Sequence, residues 1–376
     1  MTPAEQPLGK NRVVVAMSGG VDSSVALLKL LDEGYDTIGV TMKLWESRDS
    51  EGNPVNQSYC CSVDAINNAK LVCQKLGVPH YTLDFQEIFR RKVVDYLVEE
   101  YVAGRTPNPC IQCNIHLRWG ALMTQADLLN AHWIATGHYA RVDRSNPEKP
   151  VLKKGRDDRK DQTYVLWGIP GETLRRTLFP LGNLTKIEVR QIARKGGLPT
   201  ADVPESQDIC FVPDNDYRRF LRDYAPEKMR KDLPGDFISY RGERMGKHSG
   251  ISQYTIGQRR GLGVTGSDPV YVQNIDRRSR AVTLAQRSRM FFHACTVDNV
   301  NWLQDFHGRQ NGEPIRVHIR YHHEGVPCRV TDTGGGTVTV EFEKPQFAVT
   351  PGQSAVFYMG DELVGGGIIT EGHLHE

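Results

Sequence analysis

Ser18-Gly19-Gly20-Val21-Asp22-Ser23-Ser24 stands between a short Val-rich apolar run, residues 12–17, and a segment of helical apolar spacing, residues 21–31. A strand that passes through a Ser/Gly loop into a helix suits phosphate binding. Glycines let the backbone come close to a phosphate, and the helix start offers N–H groups with no intrahelical partner at its positive end. Ser18 and Ser23 add hydroxyl donors, and Asp22 is placed to hold Mg2+ against the phosphates. The Gly-x-x-x-x-Gly-Lys-Ser/Thr spacing of ATPases that cleave at the γ-phosphate is missing. A tight Ser/Gly turn that only caps a helix is the plainer alternative, and the strand-loop-helix setting counts against it.

Outward from this loop, strand and helix signals alternate. Residues 37–43, 81–84 and 132–136 read as strands, and residues 63–76, 86–102 and 114–129 as helices. Such alternation predicts an α/β fold with a parallel sheet, whose ligands sit at the carboxyl ends of the strands. Residues 185–196 form another helical segment, stopped by Gly196-Gly197. After residue 214 the pattern changes to a short helix at 217–224 and Gly/Pro-punctuated short strands. From residue 282 strands dominate, at 315–321, 336–343 and 354–359 for example. Short strands with regular turns predict a small antiparallel β-barrel or sandwich. The expected division is a first domain over 1–212, a small central domain over 213–276 and a β-barrel domain over 277–376.

Hydrophobic residues at 39% and charged residues at 24% are ordinary for a globular protein. No secretory leader pattern and no membrane-length apolar stretch is visible, so a cytoplasmic chain is expected. The net charge of +2 is uninformative, but residues 218–260 carry 11 Lys or Arg against 5 Asp or Glu. Lys153, Lys154, Arg156, Arg159 and Lys160 form a second basic cluster, in a loop-like stretch. Both fit a nucleic-acid backbone, and a solvated face is the alternative for each.

Eight cysteines stand at 60, 61, 73, 110, 113, 210, 295 and 328. A cytosolic chain of this size is an unpromising disulfide framework, so metal binding or thiol chemistry is the functional reading for any that cluster. Cys73, on an apolar helix face, and Cys328, in a strand-like run, read as buried inert thiols. Thr106-Pro107-Asn108-Pro109-Cys110-Ile111-Gln112-Cys113-Asn114 reads as a rigid loop that puts Cys113 at or beside a helix N-cap, where the dipole favours thiolate. Cys210 follows a polar stretch, Glu205-Ser206-Gln207-Asp208. Spacing alone leaves open whether Cys113 and Cys210 act together or are unrelated structural residues.

Residues 18–24 resemble the pyrophosphate loop of the ATP pyrophosphatase superfamily, which splits ATP between its α- and β-phosphates and adenylates a substrate. That loop, residues 104–114, Thr136-Gly137-His138-Tyr139, Lys160-Asp161-Gln162-Thr163-Tyr164, and residues 206–211, 254–264 and 350–358 together resemble the tRNA-specific 2-thiouridylases. The resemblance runs from about residue 11 to residue 370. It implies ATP with Mg2+, a tRNA substrate (the anticodon region of tRNAs for Lys, Glu and Gln), and a sulfur donor such as a cysteine desulfurase or a sulfur-relay protein. In that scheme the C2 oxygen of the wobble uridine is adenylated, and a persulfide on Cys210, aided by Cys113 as partner nucleophile, replaces it with sulfur. A Cys113–Cys210 disulfide would be the resting product. Ala16, Met17, Ser18, Gly19, Gly20, Val21, Asp22 and Ser23 would contact ATP, framed by Met42 and Gly137. Asn108, Pro109 and Cys110 would lie against the target base. His138, Lys160, Asp161, Gln162, Arg320, Tyr321 and Gln353 would touch tRNA, although Gln353 also reads as a turn former and Tyr321 as a core aromatic.

One position departs from the family pattern, which commonly has aspartate where this chain has Cys110. Cys110, Cys113 and Cys210 would then make three thiolates for a [4Fe-4S] cluster or for zinc, a second route to the same sulfur insertion. Amidating ligases with a similar loop, and a non-catalytic RNA-binding protein, are the remaining alternatives. Neither calls for both the loop and the cysteines.

Overall fold

Val13, Val14 and Val15 are fully buried, as a β-branched run in a central strand should be. The computed structural model describes residues 9–46, 63–204, 209–212, 214–264, 268–305 and 314–374. Cys60, Cys61 and the 205–208 stretch of the Cys210 motif lie outside the described residues. The chain divides into two compact units, one of residues 1–93, 110–215 and 361–363, the other of residues 94–109, 216–360 and 364–376. No helix among the described residues is long and apolar enough to cross a membrane.

The first unit contains β1 (Gly9–Ala16), β2 (Asp36–Lys43), β3 (His80–Asp84), β4 (Ala131–Ala135), β5 (Ala140–Asp143), β6 (Val151–Lys154) and β7 (Thr177–Leu178). Five of these make a parallel sheet in the order β3-β2-β1-β4-β7. The order steps from β1 to β2 and β3 on one side, then to β4 on the other. Its switch point, where ligands bind in such sheets, therefore lies between the carboxyl ends of β1 and β4. Val25, Leu27 and Leu30 of the helix Val21–Asp32 share a buried cluster with Val13, Val15 and with Val189 and Ala193 of the helix Lys186–Lys195. Each such side chain withdrawn from water contributes roughly 2 kcal/mol before entropy is counted.

The segment read as a helix over 86–102 is one, with a π-helical middle: Gln86–Phe89, Arg90–Val94 and Asp95–Val102. The next helix begins earlier than expected. Pro109–Cys113 is already helical and passes into a π-helix over Asn114–Ala121. Pro109 suits a first helical position, because its φ is preset and its missing N–H would have had no partner. The stretch holding Lys153 and Lys154 also departs from expectation. It is strand β6, paired with β5. Lys153 lies 3.0 Å from Asp143 and 3.4 Å from Glu362, and Arg156 lies 3.2 Å from Glu188. Three of these basic residues thus belong to strand pairing and internal ion pairs.

The second unit contains β8 (Gly235–Ser239), β9 (Arg244–His248), β10 (Val270–Asp276) and β11 (Ala281–Gln286), in the order β10-β11-β8-β9. Here β8 and β11 run parallel. Phe237, Tyr254, Val272, Val282 and Leu284 fill their core. Then come β12 (Phe291–Trp302), β13 (Arg316–His318), β14 (Val326–Gly334), β15 (Thr337–Phe347), β16 (Ser354–Met359) and β17 (Glu362–Leu374). They follow the order β12-β15-β14-β13-β16-β17, and β17 pairs back onto β12. The expected barrel is therefore closed, which removes its strand edges.

Candidate active site

Residues 17–20 turn the chain from β1 into the helix Val21–Asp32. Gly19 has φ +75°, and a Cβ there would lie 2.1 Å from the Ala65 carbonyl oxygen, so neither conformation nor space admits a side chain. Ser23 Oγ accepts the Ser18 backbone N–H at 3.2 Å and donates to the Gly20 carbonyl at 3.1 Å. Ser18 itself is exposed at the mouth of the loop, while Ser23 is buried. Gly137, just beyond β4, approaches the same turn: a Cβ on it would be 2.8 Å from Ser23 N. Residues 18–23 and Gly137 thus meet at the switch point. Ala16 and Met17 are buried at the end of β1, and Met42 is buried near the end of β2.

Sequence reasoning missed the cation of this site. Lys186 Nζ donates to both Asp22 oxygens, at 2.7 and 2.8 Å, and the Tyr139 hydroxyl donates to Asp22 Oδ1 at 2.8 Å. The Lys186 side chain is 11% exposed and that of Asp22 33%. The carboxylate expected to hold magnesium already holds an ammonium, so Mg2+ arriving with ATP would share it or displace Lys186. Tyr139 is fixed in turn by Gln162, whose Oε1 accepts the Tyr139 N–H at 3.0 Å. Asp161 accepts from Gly155 N at 2.9 Å and from Thr163 Oγ1 at 2.7 Å. Burial raises its pKa against those hydrogen bonds. Gln162 and Asp161, both expected to touch tRNA, here brace the backbone around the loop. Lys160 lies half-buried in the turn before them.

His138 packs against Trp119 and Phe179, with ring centroids 5.8 and 6.2 Å away, and Thr136 Oγ1 lies 2.7 Å from its Nδ1. Burial, with a smaller push from the Arg118 charge, lowers its pKa to about 3. Any contact it makes with RNA is that of a neutral imidazole.

Cys113 is buried, Cys110 exposed and Cys210 half-buried. Cys113 stands directly before the π-helix Asn114–Ala121, but with helical φ −60° and ψ −43°, so the helical start lies upstream of it. Cys113 ends the short helix that Pro109 begins, and Cys110 occupies the first turn instead. The electrostatic partner of Cys113 is Arg118, whose Nη1 donates to Sγ at 3.3 Å and to Asn114 Oδ1 at 2.8 Å. Asn114 is anchored through its Nδ2 to the Val165 carbonyl at 2.8 Å. A five-residue separation misses the face of an α-helix but suits the i→i+5 repeat of the π-helix that follows Cys113. Phe211 is buried against Phe89 and Trp45, centroids 5.4 and 6.1 Å apart, and so fixes the segment carrying Cys210. Among the described residues no three His, Cys, Asp or Glu side chains are grouped to hold a metal ion. Among the described residues no disulfide joins Cys113 to Cys210. Burial raises the Cys73 pKa to about 11 and the Cys328 pKa to about 12, in keeping with inert thiols.

In the second unit, Asn108 and Pro109 end a loop held by the barrel. Thr106 N donates to the Pro351 carbonyl at 2.9 Å, and Gln353 Nε2 donates to the Thr106 carbonyl at 2.8 Å. Gly352, at φ +92°, leaves room for this approach, since a Cβ there would be 2.8 Å from Thr106 N. The Gln353 amide thus secures the loop. Arg320 is exposed and Tyr321 is 37% exposed, so Tyr321 is not a core aromatic.

A parallel sheet with an anion loop at its switch point, followed by a small β-domain and a closed barrel, defines the class: HUP-domain proteins that carry a PRC barrel and a second β-barrel. Family models described as tRNA methyl transferase HUP domain, tRNA methyl transferase PRC-barrel domain and aminomethyltransferase beta-barrel domain match residues 11–214, 218–286 and 292–369. Within that class the chain belongs to the tRNA-specific 2-thiouridylase family. It is 46% identical over 367 residues to the tRNA-specific 2-thiouridylase MnmA of Carboxydothermus hydrogenoformans, covering 96% of this chain and 98% of the relative. Identity to the corresponding protein of Symbiobacterium thermophilum is also 46%, over 97% of this chain and 93% of the relative. Among solved structures, a 4-thiouridine synthetase–RNA complex with bound ATP matches at 19% identity and TM-score 0.36, over 58% of this chain and 51% of that one.

Proposed function

We propose that the protein is an ATP-dependent tRNA 2-thiouridylase acting on the wobble uridine. One observation carries the reading: a single compact unit holds both an anion loop with its own fixed cation and a cysteine whose sulfur faces a guanidinium. The first suits transfer of adenylate, the second a thiolate. The family-model descriptions speak of methyl transfer, but neither feature serves a methyl donor, and the relatives are called thiouridylases.

In the proposed sequence the uridine C2 oxygen attacks the ATP α-phosphorus and pyrophosphate leaves. The loop residues 16–23 hold the phosphates, with Met42 and Gly137 at their border. The terminal sulfur of a Cys210 persulfide then attacks C2, and the C2–O bond breaks with AMP as leaving group. Attack of the Cys113 thiolate on Cys210 Sγ breaks the sulfur–sulfur bond, leaves sulfur on C2 and forms a Cys113–Cys210 disulfide. A thiol reductant returns two electrons before the next turnover. Asn108, Pro109 and Cys110 border the flipped base, whose extrusion the chemistry at C2 requires. The parts over 213–276 and 277–376 grip the RNA, and a cysteine desulfurase or relay protein loads Cys210.

The test is 2-thiouridine formation, read by nucleoside mass spectrometry beside ATP–pyrophosphate exchange. Cys113→Ser and Cys210→Ser should each abolish thiolation and keep tRNA-dependent exchange. Full thiolation by either variant would overturn the scheme, and nitrogen in place of sulfur would indicate an amidating enzyme.

A further inference from the structure

The parallel pairing of β8 with β11 has a topological consequence. Val282, Thr283 and Leu284 stand opposite Phe237, Ile238 and Ser239, so both strands leave the sheet at the same end. The loop after β8 carries Tyr240 and Arg241, and the turn after β11 carries Arg287 and Arg289. There the Tyr240 ring, 38% exposed, has the Arg289 Cζ 3.9 Å from its centroid, and its hydroxyl accepts a hydrogen bond from Arg241 Nε at 2.8 Å. The Arg287 Cζ is 5.0 Å from the Phe347 centroid, and Arg320 Nη1 donates to the Phe347 carbonyl at 3.3 Å. All four arginines are exposed.

Three carboxylates near these arginines in sequence have partners elsewhere. Glu243 accepts from Ser239 Oγ at 3.4 Å, Asp268 accepts from Gln286 Nε2 at 2.9 Å, and Asp236 lies 2.9 Å from Arg244. No carboxylate is within ion-pair reach of Arg241, Arg287, Arg289 or Arg320 among the described residues. Four like charges held together without counter-ions repel one another, and a polyanion relieves that repulsion. Aromatic rings back Arg289 and Arg287, and hydrogen bonds to the Tyr240 hydroxyl and the Phe347 carbonyl hold Arg241 and Arg320, so less side-chain freedom is lost when they bind. Their donors form the planar fork that matches phosphate oxygens.

We infer that Arg241, Arg287 and Arg289, together with Arg320, form an RNA-backbone site that takes consecutive phosphodiesters of the substrate, with Tyr240 and Phe347 as platforms. This rests on the proposed tRNA substrate but not on the sulfur chemistry. The site positions RNA and reads no sequence.

The experiment measures binding of unmodified tRNA by fluorescence anisotropy from 0.05 to 0.3 M salt, for the wild-type chain, Arg241→Gln/Arg289→Gln and Arg241→Lys/Arg289→Lys. Each neutralised phosphate contributes about 0.7–0.9 to the slope of log K against log salt, so the Gln pair should lower the slope by nearly two and weaken binding ~10-fold or more at 0.1 M salt. The Lys pair should keep most of the slope. Thiolation by the Gln pair should show a raised KM for tRNA with kcat retained. An unchanged slope and affinity in the Gln pair would overturn the inference, as would loss of binding to an acidic sulfur-donor protein with tRNA binding intact. If the wild-type chain itself failed to bind tRNA, the proposed substrate would fall first, and the two failures are thereby distinguished.

Discussion

Lys186 and Asp22 should be energetically coupled, because each side chain leaves the other with an unmatched charge when removed. The ammonium is mostly buried and touches both carboxylate oxygens, while Asp22 keeps one-third exposure and a second donor in Tyr139. Breaking a fully buried pair costs ~3–5 kcal/mol, whereas an exposed pair contributes ~0.2–1 kcal/mol. With one partner partly solvated, the coupling should lie at about 1–2 kcal/mol. Lys186→Met and Asp22→Asn should each destabilise, and the double variant should be more stable than the sum of the two losses predicts. Since the chain forms two compact units, a global melt would mix transitions. Peptide-resolved hydrogen exchange over Val21–Asp32 and Lys186–Lys195 isolates the first unit and reads the cycle directly. Additive losses within about 0.3 kcal/mol would refute the coupling and with it the fixed cation at the phosphate loop.

Arg118→Met should slow single-turnover thiolation roughly ten-fold or more while ATP–pyrophosphate exchange holds, since the charge-assisted hydrogen bond acts on Cys113 and not on the loop. Arg118→Lys should restore part of the rate, and equal loss in both assays would point to misfolding instead. His138 supplies a pH dependence. Its folded pKa of about 3 lies below the unfolded value, so the unfolded chain takes up the proton first as pH falls. Stability should drop through pH 6.5 and keep dropping to about pH 3. The loss between pH 7 and pH 5 should be roughly 2 kcal/mol, and His138→Gln should remove that part of the slope. Hydrogen exchange of β4 at the two pH values measures it, and parallel slopes in both proteins would sink the assignment.

The phosphate loop was legible because its letters and its context agree. A Val-rich strand, two glycines and a helical period lie within 20 residues, and local signals of that kind survive tertiary packing. The helix over residues 63–76 and the strand over 354–359 were legible for the same reason, and both appear with those bounds. The hairpin β5–β6 was not. Its strands are four residues each and dense in Arg, Lys and Asp, and only at Lys153 does β6 also pair with Glu362, more than 200 residues away. Four residues are too few to show a period of two.

The two cations at the candidate site, Lys186 and Arg118, were hidden for different reasons. Lys186 did leave a signal. Thr185 and Glu188 form a capping box, which places Lys186 at the first position of a helix, where the dipole is unfavourable to a positive charge. A buried lysine there calls for a carboxylate, and the fold brings Asp22 to it. Arg118 left none. On an α-helical wheel its five-residue offset from Cys113 points away from the thiol, and only the π-helical step after Cys113 turns it back. Departure from α-helical geometry after Cys113 thus brings positive charge to the sulfur, with a whole guanidinium where the helix start was expected to offer a partial dipole.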